Sequence, residues 1–296
     1  MRFGHAMSGG GDPVLFAEAG GRRITLGGTL DALLQDGGRL ARMREELDAR
    51  FAAGQGDASV DEAPLAPPIL RPGKIVAVGL NYHDHCREFG VEPPTSPVLF
   101  PKLTSALCGH GAEVRWSLAV TSEVDWEAEL AVIMGRTVRD ASPGDARAGI
   151  FGYTVINDVT ARDIQRDEQQ WLRAKGLDTF CPLGPVAVTA DEIPDPQRLA
   201  VRSRVNGHVM QDSTTAEMVF GVDELVATLS RSFTFETGDV LATGTPFGVG
   251  AFRTPAIFLS AGDVMEMEVE GVGVLRNTCA VADGADGREE DAWANR

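Results

Sequence analysis

Apolar positions along the chain follow two rhythms. In LARMREELDARFAA, Leu40, Met43, Leu47 and Phe51 recur at helical spacing with charges between them, which predicts a helix after a strand-like, Gly-rich beginning near Val14. From Lys74 onward short apolar or alternating runs dominate: KIVAVGL, EAELAVIMG, IFGYTVIND, GPVAVTA, LAVRSRVNGHVM, DVLATGT and DVMEMEVEGVGVLRN. Each has the length and the β-branched content of a strand. Only DVTARDIQRDEQQWLRAK and FGVDELVATLSRS read as helices among them. The pattern predicts a mainly β, α+β chain with a few helices packed on sheet, and not a doubly wound parallel sheet. Gly, Asp and Pro in GQGDASVDEAPLAPP mark a linker. Residues 1–68 are therefore expected to form a small N-terminal domain with its linker, and 69–282 the main domain. The charged, Gly-rich tail DGADGREEDAWANR, 283–296, is expected to be disordered.

Within this pattern one run stands out. In Asp125-Trp-Glu-Ala-Glu-Leu-Ala-Val, strand alternation puts Trp126, Ala128, Leu130 and Val132 on one face. Asp125, Glu127 and Glu129 fall on the other. IFGYTVIND ends on a further carboxylate, Asp158. Carboxylates converging without cations to pair them are costly to keep ionised, and a hard divalent cation removes that cost. An all-oxygen set with neither His nor Cys suits Mg²⁺ or Mn²⁺ rather than zinc or copper. A solvated outer face is the plain alternative for Glu127 and Glu129.

Three further stretches carry chemistry. A helix starting near Asp158 in DVTARDIQ would set Arg162 and Gln165 along one face, suited to an anionic, oxygen-rich ligand; otherwise both are ordinary surface residues. In NYHDHCREFG, Asn81 can cap a short helix on which His85 and Glu88 face the same way. A carboxylate-oriented His is a ready general base, although a surface pair, or His83 turned inward in its place, reads equally well. The loop LATGTPFGVG offers Thr243, Thr245 and backbone amides that can cradle a carboxylate. It matches no phosphate-binding glycine pattern, so ATP and dinucleotides are not indicated.

Composition narrows the partners. With 296 residues, 43% hydrophobic, the chain can bury a substantial core. Its 43 acidic against 27 basic residues, formal charge −16, argue against nucleic acid. No signal peptide and no membrane-length apolar run is found, so no membrane partner and a cytoplasmic location are expected. Cys86, Cys108, Cys181 and Cys279 form no C-x-x-C pair and read as buried small hydrophobes.

In order, GLNYHDHCRE, DWEAELAVIMG, GYTVINDVTARDIQ, AKGLDTFCPLGP, VNGHVMQDSTTAEMVF and GDVLATGTPFGVG resemble the fumarylacetoacetate hydrolase family, from about Arg71 to Asn277. The resemblance implies a mixed β-roll catalytic domain, usually homodimeric. It implies Mg²⁺ or Mn²⁺ on Glu127, Glu129 and Asp158, with Ca²⁺ as a substitute in crystals. Substrate-side roles fall on Arg162, Gln165 and Thr245, and catalytic roles on His85, Glu88 and Lys175, the His-Glu pair in a loop that can act as a lid. Lys175 sits in RAKGLDTF where relatives read G-K-S-F-D; the Lys and Asp178 are kept, the Ser and Phe are not. The expected activity is hydrolytic cleavage of a carbon–carbon bond in a 2,4-dioxo acid of acylpyruvate type. The alternative on the same fold is a 2-keto-acid decarboxylase or isomerase, of oxaloacetate decarboxylase or hydroxymuconate isomerase type; a binding protein without catalysis is the third.

Overall fold

The computed structural model describes residues 1–7, 11–57 and 63–282. The expected tail 283–296 lies outside them, as does part of the linker. Two sheets carry the fold. Along the larger, the strands run Arg22–Thr25, Pro13–Ala19, Arg2–Met7, Cys181–Thr189, Ile150–Asn157, Ala128–Met134, Val240–Ala242, Ile75–Gly79, Val98–Lys102. The smaller runs His208–Thr214, Ala200–Val205, Val264–Val269, Gly273–Ala282, Glu113–Ser117. Most neighbours are antiparallel, with parallel pairs such as Val240–Ala242 beside Ile75–Gly79. This is the mixed, sheet-dominated α+β architecture expected.

Burial explains why the central strands read as apolar runs. Ala128–Met134 and Ile150–Asn157 are buried at every position, because both faces of the large sheet are covered. On one face Ala128, Leu130, Val132 and Val155 pack with Val201, Met265 and Met267 of the smaller sheet. On the other, Ala131 and Ile156 join Phe100, Cys181 and Leu183. Alternation along the Glu-bearing strand is thus retained, but its carboxylate face is covered rather than half-exposed.

The N-terminal strands extend the same sheet. Arg2 and Phe3 pair with Val188 and Ala187, and Phe3, Leu15, Ile24 and Leu47 share a core with Ile133, Phe151 and Ala187. The expected helix spans Gly37–Ala52. Buried His5 ties this region together: its Nε2 accepts from the Leu30 amide at 3.2 Å and its Nδ1 lies 3.2 Å from the Pro67 carbonyl. Cys86, Cys181 and Cys279 are buried, Cys108 is half-buried, and none of the four is in a disulfide. Among the described residues no helix is long and apolar enough to cross a membrane.

Candidate active site

Register between two strands assembles the carboxylates. Ala128 lies opposite Asn157, so Glu127 and Asp158 flank that pair at neighbouring strand ends, and the Asp158 amide donates to the Glu127 carbonyl at 2.9 Å. Glu129 points to the same side one pleat further along. One oxygen from each of Glu127, Glu129 and Asp158 falls within 4.8 Å of the others.

Asp125 does not join them, contrary to the face assigned from the sequence. It belongs to a separate two-residue strand, Val124–Asp125, and accepts from Arg162 Nε at 2.8 Å and from the amides of Gly250 at 2.7 Å and Ala251 at 3.0 Å. The helix expected from Asp158 begins only at Arg162, because Thr160–Ala161 first pairs with Val124–Asp125. It ends at Asp167, and a second short helix, Leu172–Lys175, delivers Lys175.

Cations inside the cluster were underestimated from the sequence. Lys175 Nζ lies 2.9 Å from Glu127 Oε2 and 2.5 Å from Asp158 Oδ2, while Arg162 Nη2 lies 2.8 Å from Glu127 Oε1. Lys102, not singled out beforehand, lies 2.6 Å from Asp158 Oδ1 and donates to the carbonyls of Val159 and Phe180. Its one sequence signal is a lone Lys closing the apolar run VLFPK. Burial works to raise the Glu127 pKa, but Lys175 and Arg162 outweigh it and bring it down to about 2. Glu129 behaves oppositely: burial, then Asp158 and Glu127, push it well above the usual carboxylate range.

That asymmetry bears on a metal. Among the described residues no Lys, Arg or His forms an ion pair with Glu129, whose carboxylate accepts from the Gly244 amide at 2.8 Å. A buried carboxylate lacking a cation beside two others of the same sign is where a divalent ion lowers the energy most. The all-oxygen donor set of Glu127, Glu129 and Asp158 fits Mg²⁺ or Mn²⁺.

The His-Glu pair is formed. Helix His83–Phe89 turns His85 inward and leaves His83 exposed, and His85 Nδ1 is 2.9 Å from Glu88 Oε2. Asn81 does not cap this helix. Tyr82 takes that position without a side-chain bond, and Asn81 instead binds the backbone of Phe220 and Thr243. The helix closes on Gly90 in the left-handed conformation, φ 74°.

The glycine loop cradles carboxylates, but they are the protein's own. Gly244 N donates to Glu129, Gly248 N to Glu88, Gly250 N and Ala251 N to Asp125, and Phe247 N lies 3.4 Å from Asp84. Glycine is required at two of these positions. Gly244 has φ +97° and a Cβ there would lie 2.8 Å from Asn81 Cβ; Gly248 has φ +100° and a Cβ would lie 2.3 Å from the Met210 carbonyl. Thr245 is buried between Gln211 and the Ala128 carbonyl. Gln211, also missed, bonds the Ala128 amide, Thr245 and Pro246, linking the smaller sheet to the site.

Part of this constellation borders a cavity of about 360 Å³. Glu127, Arg162, Gln165, Lys175 and Thr245 form its polar wall, His85 stands over it, and Phe89, Trp171 and Phe252 supply the apolar side. Gln165 accepts from Arg162 Nη1 at 2.8 Å. Phe89 and Phe252 meet edge-on, centroids 4.8 Å apart, and each also touches the His85 ring.

Comparison with known proteins places this arrangement. A family model described as fumarylacetoacetate (FAA) hydrolase C-terminal matches residues 74–280. The chain belongs to the fumarylacetoacetate hydrolase family. Within that family it is 46% identical over 218 residues to the mitochondrial oxaloacetate tautomerase FAHD2A of Homo sapiens, covering 73% of this chain and 69% of that protein. It is 40% identical over 262 residues to the oxaloacetate tautomerase YisK of Bacillus subtilis (strain 168), covering 86% and 87%. A solved fumarylacetoacetate hydrolase from psychrophilic Exiguobacterium antarcticum matches with TM-score 0.81 at 35% identity, covering 95% of this chain and all of that one. The fumarylacetoacetate hydrolase match covers every residue of the carboxylate cluster, the His85–Glu88 pair and Lys175.

Proposed function

We propose that this protein is a metal-dependent tautomerase of small 2-keto acids, interconverting the keto and enol forms of an oxaloacetate-type substrate. One observation carries the reading: a His with one ring nitrogen committed to a carboxylate faces, across a cavity of about 360 Å³, a wall bearing Arg162 and Lys175. That is a base opposite an anion-binding surface, in a space sized for a small acid. Two relatives named oxaloacetate tautomerases support it over the carbon–carbon hydrolysis suggested by the sequence.

Glu88 accepts the Nδ1–H of His85, which leaves Nε2 of the neutral ring as the proton acceptor. The substrate carboxylate and keto group lie toward Arg162, Gln165, Lys175 and Thr245. A divalent cation held by Glu127, Glu129 and Asp158 would supply Lewis-acid polarisation of the keto oxygen. His85 takes a proton from the carbon beside the carbonyl, the C–H electron pair becomes the enol double bond, and the proton returns at oxygen. Lys175 favours the developing oxyanion by its charge. Nothing is hydrolysed, so no water need reach His85, and the contacts of Phe89 and Phe252 with its ring keep that side apolar.

The test is to add the enol form of oxaloacetate to the Mg²⁺-loaded protein, follow loss of enol absorbance, and assay carbon dioxide and pyruvate in parallel. Faster ketonisation without cleavage products is expected, with His85→Ala slower by about a hundredfold or more. Pyruvate release as the main outcome, or acetylpyruvate cleavage outpacing ketonisation, would return the assignment to decarboxylation or hydrolysis.

A further inference from the structure

The charges in and behind the polar wall of the cavity leave a place for one more anion than the cluster itself can hold. With a divalent cation keeping Glu129 ionised, Asp125, Glu127, Glu129 and Asp158 bring four negative charges, and Lys102, Lys175 and Arg162 bring three positive. A divalent cation converts that excess of one negative into one positive, which a single substrate carboxylate cancels. A second substrate carboxylate then needs a cation outside the cluster.

Arg166 is positioned to be that cation. It follows Arg162 by four residues on the helix Arg162–Asp167, so both side chains lie on the face that lines the cavity, about one helical turn apart. Both of its terminal nitrogens are on Glu123, at 2.9 and 3.2 Å. This pair sits at the solvent edge, with the Arg166 side chain 62% exposed. The pair is bidentate, but at this exposed edge solvent screens it, so water can take over Glu123 when Arg166 turns inward. Elsewhere the cavity margin is Val78, Leu80, Phe89, Trp171, Ala251 and Phe252, whose side chains carry no positive charge to pair with a carboxylate.

We infer that Arg166 is the specificity-determining residue that selects substrates with a distal carboxylate, exchanging Glu123 for that group. This rests on the tautomerase reading for its reaction but not for its binding test. Two assays separate the two. In turnover, Arg166→Met should raise KM for oxaloacetate about tenfold with kcat little changed, and leave deuterium exchange at C3 of 2-oxobutanoate, which lacks the distal carboxylate, unaltered. Glu123→Gln, which releases Arg166, should lower KM for oxaloacetate. In calorimetry with the Mg²⁺-loaded chain, Arg166→Met should weaken malate but not 2-hydroxybutyrate. Equal effects on both members of either pair, or none on malate, would overturn the inference. If the native chain fails to turn over oxaloacetate while the malate contrast holds, the reaction is wrong and the binding assignment stands.

Discussion

Lys102 shows what a single side chain can hold. Its ammonium is buried and fixes Asp158 together with the carbonyls of Val159 and Phe180, so three segments meet at one nitrogen. Lys102→Met removes the cation and leaves Asp158 with Lys175 alone. Urea unfolding should show a loss of about 3–5 kcal/mol, the usual result when one partner of a buried ion pair is deleted; a loss under about 1 kcal/mol would mean the pair contributes nothing net. The residues readable from the sequence were those with a periodic or short-range signature: Glu127 and Glu129 by alternation, His85 and Glu88 by helical spacing. Gln211 and Asp84 carry none, because their partners lie at long range, Asp84 pairing with Ser213 and Gln211 with Ala128, and Lys102 carries only its place at the end of VLFPK.

At the scale of elements, local pattern gave strand positions well and helix beginnings poorly. DVTARDIQ satisfies helical spacing from Asp158, yet pairing of Thr160–Ala161 with Val124–Asp125 takes its first residues into a bridge. Asn81 has an N-cap side chain, yet long-range backbone partners at Phe220 and Thr243 claim it. In both cases tertiary hydrogen bonds override a local preference. The glycine loop was legible as an amide-rich cradle, though not whose carboxylates it would hold. Gly244→Ala tests it: with φ +97° and Asn81 Cβ only 2.8 Å from the new Cβ, the loop must shift, and its amide leaves Glu129. Expected are a destabilisation of about 1–3 kcal/mol in denaturant and weaker Mn²⁺ binding by calorimetry. Unchanged Mn²⁺ affinity would separate the loop from the carboxylate cluster.

At the scale of the whole molecule, the N-terminal strands are continuous with the large sheet, and His5 is one of the pins. Burial holds its imidazole below the usual histidine value, despite the Pro67 carbonyl, and its Nε2 must be unprotonated to accept from Leu30. A depressed native pKa means that its contribution is complete above the unfolded value of about 6.5 and is lost as pH falls through the lower native one. The native chain should therefore lose more stability than His5→Gln on acidification below about pH 6.5, read as urea midpoints across a pH series; parallel slopes would remove His5 from the account. The loop from Gly244 to Ala251 has a consequence for how such a protein can change over generations. Because one short run of backbone holds Glu129, Glu88 and Asp125 together, their displacements are correlated, and a substitution there disturbs proton transfer and the carboxylate cluster at once. Phe89, Arg166 and Trp171 lie outside that run, so innovation in substrate choice is cheapest at the rim, while the loop remains a shared datum that tolerates little drift.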